Sequence, residues 1–199
     1  VNDTNSLRVN GAFFMNDSEA IQVSTNPDFT GGATITQNAA QAEISGLELE
    51  FTWVPNSAFL LEGGMGYLNA RYDELNDDVQ FSSSNEFARI PEWSANLAAS
   101  YIVDLDSGAS ITPRLDWSYK SQMQGTAEND EDVVQDSFQV LNANVGYASA
   151  SGDWSANLGV TNLTDEEYLL SANQNGRIGY AEGVFARERQ WYLKVRRDF

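Results

Sequence analysis

The last fourteen residues constrain this chain most. In Ala186 to Phe199, Trp191, Leu193, Val195, Arg197 and Phe199 share one alternation, and four of the five are apolar. The other alternation is Gln190, Tyr192, Lys194, Arg196 and Asp198, polar apart from one amphipathic ring. A period of two belongs to a β-strand with one greasy face and one wet face. The last strand of a soluble sandwich is expected to trail into a few polar residues. This one stops on the apolar face, at an aromatic residue. Taken alone it fits the closing strand of a transmembrane β-barrel or the final strand of a soluble β-sandwich.

Composition removes whole classes of function. The chain has 199 residues, enough for one β-domain, with 11 basic against 29 acidic side chains and a net charge of −18. Nothing on that scale neutralises phosphates, so no nucleic-acid partner is expected. There is no Cys and no His. Disulfides, thiolate or imidazole metal sites, and Ser-His or Cys-His catalysis are therefore out of reach. No metal site, cofactor or enzymatic activity is expected. Mean hydropathy is −0.40, and no run approaches the ~18 apolar residues of a membrane helix. A transmembrane barrel is still allowed, because its alternating strands average to a soluble-looking composition. Residue 1 is Val with no charged and apolar leader behind it, so a signal peptide is expected to be missing or already removed.

Taken in order, the chain predicts strand after strand. Leu7, Val9, Gly11, Phe13 and Met15 share one face of the first. Asn16-Asp17-Ser18 reads as a turn, followed by a short strand over about 19–25. Asn26-Pro27-Asp28 and Gly31-Gly32 mark a polar loop. A long strand follows over about 37–54, with Leu47, Leu49, Phe51 and Trp53 on odd numbers but Ala42 and Ile44 on even ones. That phase slip at Gly46 predicts a β-bulge. Beyond Pro55-Asn56-Ser57, Phe59, Leu61, Met65 and Tyr67 form the next apolar face, and a loop is expected over about 71–91. Trp93 to Val103 and Ala109 to Lys120 alternate cleanly, although Pro113 sits badly in an internal strand and predicts a local irregularity. An acidic loop over about 121–136, strands led by Leu141 and by Trp154, and a glycine-bearing loop over about 171–185 bring the chain to its end.

The rhythm of connections decides between the two readings. Short turns near Asp17, Asn56, Asp106 and Gly152 alternate with long connections near Gly31, Asp78, Asn129 and Gly176. Tight periplasmic turns and long extracellular loops produce this alternation in an outer-membrane barrel, whereas a sandwich has no reason for it. Trp53, Tyr67, Trp93, Tyr101, Trp117, Tyr119, Tyr147, Trp154 and Trp191 lie near the ends of apolar strand faces, where an interfacial girdle belongs. The opposite faces are rich in Ser, Asn, Thr, Gly and Glu, which suits a wet lumen. The expected fold is all-β: an antiparallel up-and-down transmembrane β-barrel in the bacterial outer membrane, in contact with its lipid. Nine strands are counted. With the last strand running toward the periplasm, the first also runs downward and starts at the outer surface. Nine is odd, and an open sheet in lipid leaves two unpaired edges, so the whole of 1–199 is expected to be part of a longer barrel.

Four segments resemble TonB-dependent receptors, the gated active transporters of the Gram-negative outer membrane. Asn38-Ala39-Ala40-Gln41-Ala42-Glu43-Ile44-Ser45-Gly46-Leu47-Glu48-Leu49-Glu50 is similar to the family's "NAG.A.I.G.E.E" strand. Ile90-Pro91-Glu92-Trp93 resembles its "P.W" strand entry, and Asn162-Leu163-Thr164-Asp165-Glu166-Glu167-Tyr168 its "NLTDEEY" segment. The Phe199 ending completes the set, and in the family that aromatic strand is also read by the insertion machinery. The resemblance implies the last ~9 strands of a 22-stranded barrel with a plugged lumen. It implies a receptor importing a scarce ligand, an iron–siderophore complex being the commonest cargo. It also implies three partners: the receptor's own N-terminal plug domain (not in this chain), the TonB complex acting through that plug, and a small extracellular ligand. A passive porin or structural barrel and a soluble carbohydrate-binding sandwich are the alternatives.

Candidate ligand contacts lie on the expected outer loops. Tyr72, Phe81, Phe87 and Arg89 come from one loop, and Arg177, Tyr180 and Phe185 from the last. Aromatic faces and guanidinium forks are suited to a ferric chelate or a sugar, and self-packing of the loops is the competing reading. The run Glu128-Asn129-Asp130-Glu131-Asp132 offers hard oxygens for calcium but lacks the glycine of an EF-hand, so a solvated loop is the expectation. Glu48, Glu50 and Glu62 point to the wet face without a nucleophile–base set, which leaves them as ordinary lumen charges.

Overall fold

In the computed structural model, residues 5–25, 35–77, 79, 81–175 and 180–199 are described. The strands are β1 (Ser6–Thr25), β2 (Ile35–Val54), β3 (Phe59–Leu75), β4 (Trp93–Tyr101), β5 (Val103–Asp104), β6 (Ser110–Lys120), β7 (Phe138–Ala148), β8 (Trp154–Thr161), β9 (Leu169–Asn175), β10 (Tyr180–Phe185) and β11 (Gln190–Arg197). Every paired strand is antiparallel to its neighbour, in the order β1-β2-β3-β4-β6-β7-β8-β11. The short β5 continues β4 past Ile102 and pairs with β6, while β9 and β10 form a separate hairpin above β8 and β11. Among the described residues nothing closes β11 onto β1, so the sheet is open.

The register explains the alternation. Leu7 faces Trp53, Trp53 faces Leu61 and Leu61 faces Ala99. Farther along, Leu115 faces Ala143, Val145 faces Leu158 and Leu158 faces Leu193. One apolar face therefore runs unbroken across the sheet. Leu158 is 52% exposed and Leu115 is 51% exposed although both have strands on either side. Covering such a side chain fully is worth about 1.5–3 kcal/mol. A whole face of them left in water would outweigh a domain's net stability of about 5–15 kcal/mol. The face needs an apolar medium against it. Its ends carry rings: Trp53, Phe59 and Tyr101 near one rim, with centroids 6.1 and 6.5 Å apart, and Tyr67 and Trp93 near the other, 4.7 Å apart. The eight steps from Phe59 to Tyr67 span roughly 26 Å at ~3.3 Å each, the scale of an outer-membrane apolar band of about 25 Å.

Several expectations change. Asn16-Asp17-Ser18 is not a turn: β1 runs straight through it, with Asp17 opposite Glu43 and Ser18 opposite Ala42. The ladder to β2 outweighs local turn propensity, and only small register shifts at Ser18–Gln22 mark the spot. The first two predicted strands are thus one, and Ser6, opposite Val54, sits at the short-turn rim rather than the loop rim. The alternation of connections along the main sheet survives without that turn: 55–58, 105–109 and 149–153 are short, and 26–34, 76–92, 121–137 and the 162–189 excursion that holds β9 and β10 are long.

Gly46 is not a bulge either. Its register with Phe14 and Leu68 is uninterrupted. A Cβ there would meet the Phe14 ring at 2.5 Å and the Tyr67 carbonyl at 2.7 Å, so glycine is required by close approach. The phase changes because the surroundings change. Beyond Gly46 the long strands β1–β3 continue past the apolar band, and Ala42, Val23 and Tyr72 become a buried cluster on the other face. The band face there turns polar, with an Arg71–Glu43 ion pair.

Pro113 also finds its reason. The β4–β6 ladder stops at Ser100–Arg114 and resumes as β5–β6 at Val103–Ile111. Pro113, which has no N–H to donate, sits in that gap and is the local irregularity the sequence predicts.

Candidate functional site

The polar face of the sheet is a wall of short polar side chains. Arg114 donates to Glu62 at 2.8 Å and, through Nε, to Asp116 at 2.9 and 3.1 Å. Glu62 and Asp116 lie either side of Ala98 in the register, and that small residue leaves the gap the guanidinium spans. Asn157 donates to Asn144 at 3.1 Å on the same face. Glu48 and Glu50 face this side without a side-chain partner among the described residues.

A cap forms where the long connections meet. The strand β3 extends to Leu75, so Tyr72 belongs to it and not to a loop. Its ring is buried, stacked on Phe87 with centroids 4.0 Å apart and tilted against Phe81 at 5.3 Å. These three predicted contacts thus come together, packed on one another and on Val23, Ala42 and Ala127. Arg89 lies elsewhere on the same loop. Its side chain is exposed, its φ is +63°, and its guanidinium donates to the Ala172 carbonyl at 3.3 Å. The stretch predicted as a final loop is the β9–β10 hairpin, in which paired backbone replaces loop. Tyr180 and Phe185 are exposed on it. Glu182 accepts a hydrogen bond from the Tyr180 hydroxyl, and that bond holds the phenol pKa above its ordinary value. Arg177 lies outside the described residues.

The acidic run does not converge. Asp130 accepts from Thr126 at 2.9 Å, Asp132 accepts from Gln174 at 3.0 Å, and Asn129 turns to the backbone of Glu86. Among the described residues no three acidic side chains come close enough to hold a metal ion.

The segment Asn162–Tyr168 is the bend between β8 and β9. Asn162 is buried at φ +52°; its Oδ1 accepts from Glu166 N–H at 2.8 Å, and its Nδ2 donates to the carbonyls of Glu166 and Arg187 at 2.8 and 3.3 Å. It is structural mortar between two crossings. Sequence reasoning missed the tie to Arg187. An Asn in the left-handed region is a signal of such a bend, but its distant partner leaves no local trace.

A family model described as "TonB dependent receptor-like, beta-barrel" matches residues 1–163. The chain belongs to the TonB-dependent receptor family. Members are transport receptors of the bacterial outer membrane, which fixes the two faces: the apolar one lies against lipid and the polar one lines the lumen. Solved TonB-dependent receptors share the fold. The ferric yersiniabactin uptake receptor FyuA from Yersinia pestis aligns with a TM-score of 0.80 at 19% identity, over 97% of this chain and 28% of that one. The ferric-catecholate import receptor Fiu from K12 E. coli aligns at 0.70 and 22% identity, over 100% of this chain and 26% of that one. The copper transporter OprC aligns at 0.69 and 18%, over 97% and 29%. The chain thus spans little more than a quarter of the length of the TonB-dependent receptors it matches. Neither a passive porin nor a soluble sandwich is favoured.

Proposed function

We propose that residues 1–199 form the C-terminal part of the barrel wall of a TonB-dependent receptor that imports an iron–siderophore complex into the periplasm. The observation that carries this reading is the two-ended wall. A lipid-facing, water-lined sheet ends at one rim in tight turns and at the other in a cap that exposes Arg89, Tyr180 and Phe185. A ferric siderophore is oxygen-rich, commonly anionic and often aromatic. A guanidinium and exposed rings are the groups that recognise such a molecule. Arg89, Tyr180, Phe185 and Arg177 are its proposed contacts, and the Tyr72, Phe81 and Phe87 cluster holds the loops that carry them. The polar wall, where Glu48 and Glu50 have no side-chain partner among the described residues, is proposed to face the receptor's own plug domain, through which the TonB complex supplies energy. Two ferric receptors among the structural neighbours support iron as cargo. The test is radio-iron uptake by cells lacking the gene, supplied in turn with catecholate, hydroxamate and mixed siderophores. Loss of uptake for one class is expected. Full uptake of every class, with a vitamin or sugar lost instead, would overturn the cargo.

A further inference from the structure

Asn129 joins two loops that are far apart in sequence. Its Oδ1 accepts the Glu86 N–H at 2.8 Å, and its Nδ2 donates to the Glu86 carbonyl at 2.9 Å. One side-chain amide thus occupies both backbone groups of one residue, as a neighbouring strand would. Around it, Asn85 donates to the Ala127 carbonyl at 2.9 Å, and the Arg89 N–H reaches the Gln124 carbonyl at 2.8 Å. A parallel bridge pairs Ala88 with Gln124.

Four non-glycine residues among those described have positive φ: Arg89, Asn129, Asn162 and Asp165. Asn and Asp tolerate the left-handed region through local hydrogen bonds; Arg has no such compensation. A strained residue persists only where its surroundings over-determine it, and such residues gather at functional sites. For Arg89 the surroundings are the interloop contacts, which Asn129 clamps three residues upstream. Its guanidinium uses one contact, to Ala172 on β9, and among the described residues it pairs with no carboxylate although the cap is rich in them.

We propose that Asn129 is a positioning residue: it locks the 76–92 and 121–137 loops into one body and thereby holds Arg89 in the conformation that presents its guanidinium beside the β9–β10 hairpin. The clamp stands on its own geometry; its use in capturing an anionic ligand rests on the import reading above. Asn129→Gly still permits the left-handed backbone and removes the amide, with its bonds to Glu86 and its local ones to the Thr126 and Ala127 carbonyls at 3.2 and 3.5 Å, whereas Arg89→Gln removes the charge and leaves the clamp.

The test is hydrogen exchange on the full-length receptor in detergent, with binding of an anionic ferric tris-catecholate as the charged probe. Asn129→Gly is expected to speed exchange at the Glu86 and Arg89 amides about tenfold, the effect of losing about one hydrogen bond, with β6 and β7 unchanged. Arg89→Gln leaves exchange at Glu86 as it was. If the wild type binds the probe, both variants weaken it by about fivefold or more. Unchanged exchange at Glu86 and Arg89 in Asn129→Gly overturns the clamp, whatever the probe does. Faster exchange with a wild type that ignores the probe supports the clamp and tells against the catecholate cargo alone.

Discussion

Asp165 accepts the backbone N–H of Arg189 at 2.7 Å, and the Arg189 guanidinium donates in return to the Leu163 carbonyl at 3.2 Å. Residues twenty-four apart in the chain thus lock the β8–β9 crossing to the β10–β11 crossing. Asn162 supports the same joint from inside. Losing a hydrogen bond that leaves a buried group unpaired costs about 1–3 kcal/mol. Asn162→Ala strands several such groups and removes a residue suited to positive φ. We therefore expect a larger loss for Asn162→Ala than for Asp165→Ala, read as the temperature at which the folded band of the receptor disappears on a gel. Equal and negligible shifts would contradict the joint.

Gly159 lies under the Tyr192 ring, in register across the β8–β11 pair. Any Cβ at 159 collides with that ring. Gly159→Val should lower the yield of folded receptor, and adding Tyr192→Ala should restore much of it. Overpacking of this kind costs about 1–3 kcal/mol. A Gly159→Val receptor that assembles like the wild type would show that the ring is not held there.

Adjacent residues on β4 separate lipid from lumen. Leu97 stands on the apolar face between Gly63 and Trp117, and Asn96 on the polar face between Gly64 and Ser118. A lysine on the lipid face near the midplane costs about 2–4 kcal/mol. Leu97→Lys should unfold the receptor at a lower denaturant concentration, while Asn96→Lys, one strand from Gly64 and two from Glu50, should be near neutral. The measurement is a urea titration of tryptophan fluorescence in detergent micelles.

The Arg114 network is easily over-weighted. Its guanidinium and both partner carboxylates are about a third or more exposed, so solvent screens them and a coupling of about 0.2–1 kcal/mol is the scale. A double-mutant cycle of Arg114→Met with Glu62→Gln should return a value in that range, shrinking in high salt. A coupling several times larger would mean the wall is drier than its exposure says.

Much of the fold was legible because a strand writes its faces into the sequence at period two. That pattern located the lipid face, the aromatic rims and the short turns. It misled where the environment changed along one strand: the apolar residues cross from odd to even numbers at Gly46 because β1–β3 leave the band, with no change of register. It also misled at Asn16-Asp17-Ser18, where turn-forming residues are carried through by fourteen partners on β2 between Ser6 and Ile21. The candidate site was less legible. Residue type singled out Tyr72, Phe81, Phe87 and Arg89 as one group from one stretch of chain. That the first three face each other while Arg89 reaches toward β9 depends on contacts between distant loops, and nothing in the local sequence carries that information.

The most direct test is nitroxide scanning of residues 113–118 in the full-length receptor in lipid bilayers. Single cysteines are simple to place, since this chain has none. Strict alternation is expected: labels at 113, 115 and 117 collide with oxygen dissolved in the bilayer, and labels at 114, 116 and 118 respond to a water-soluble relaxant. Odd positions shielded from both reagents would mean a face buried in protein, as in a sandwich, and would contradict the barrel wall.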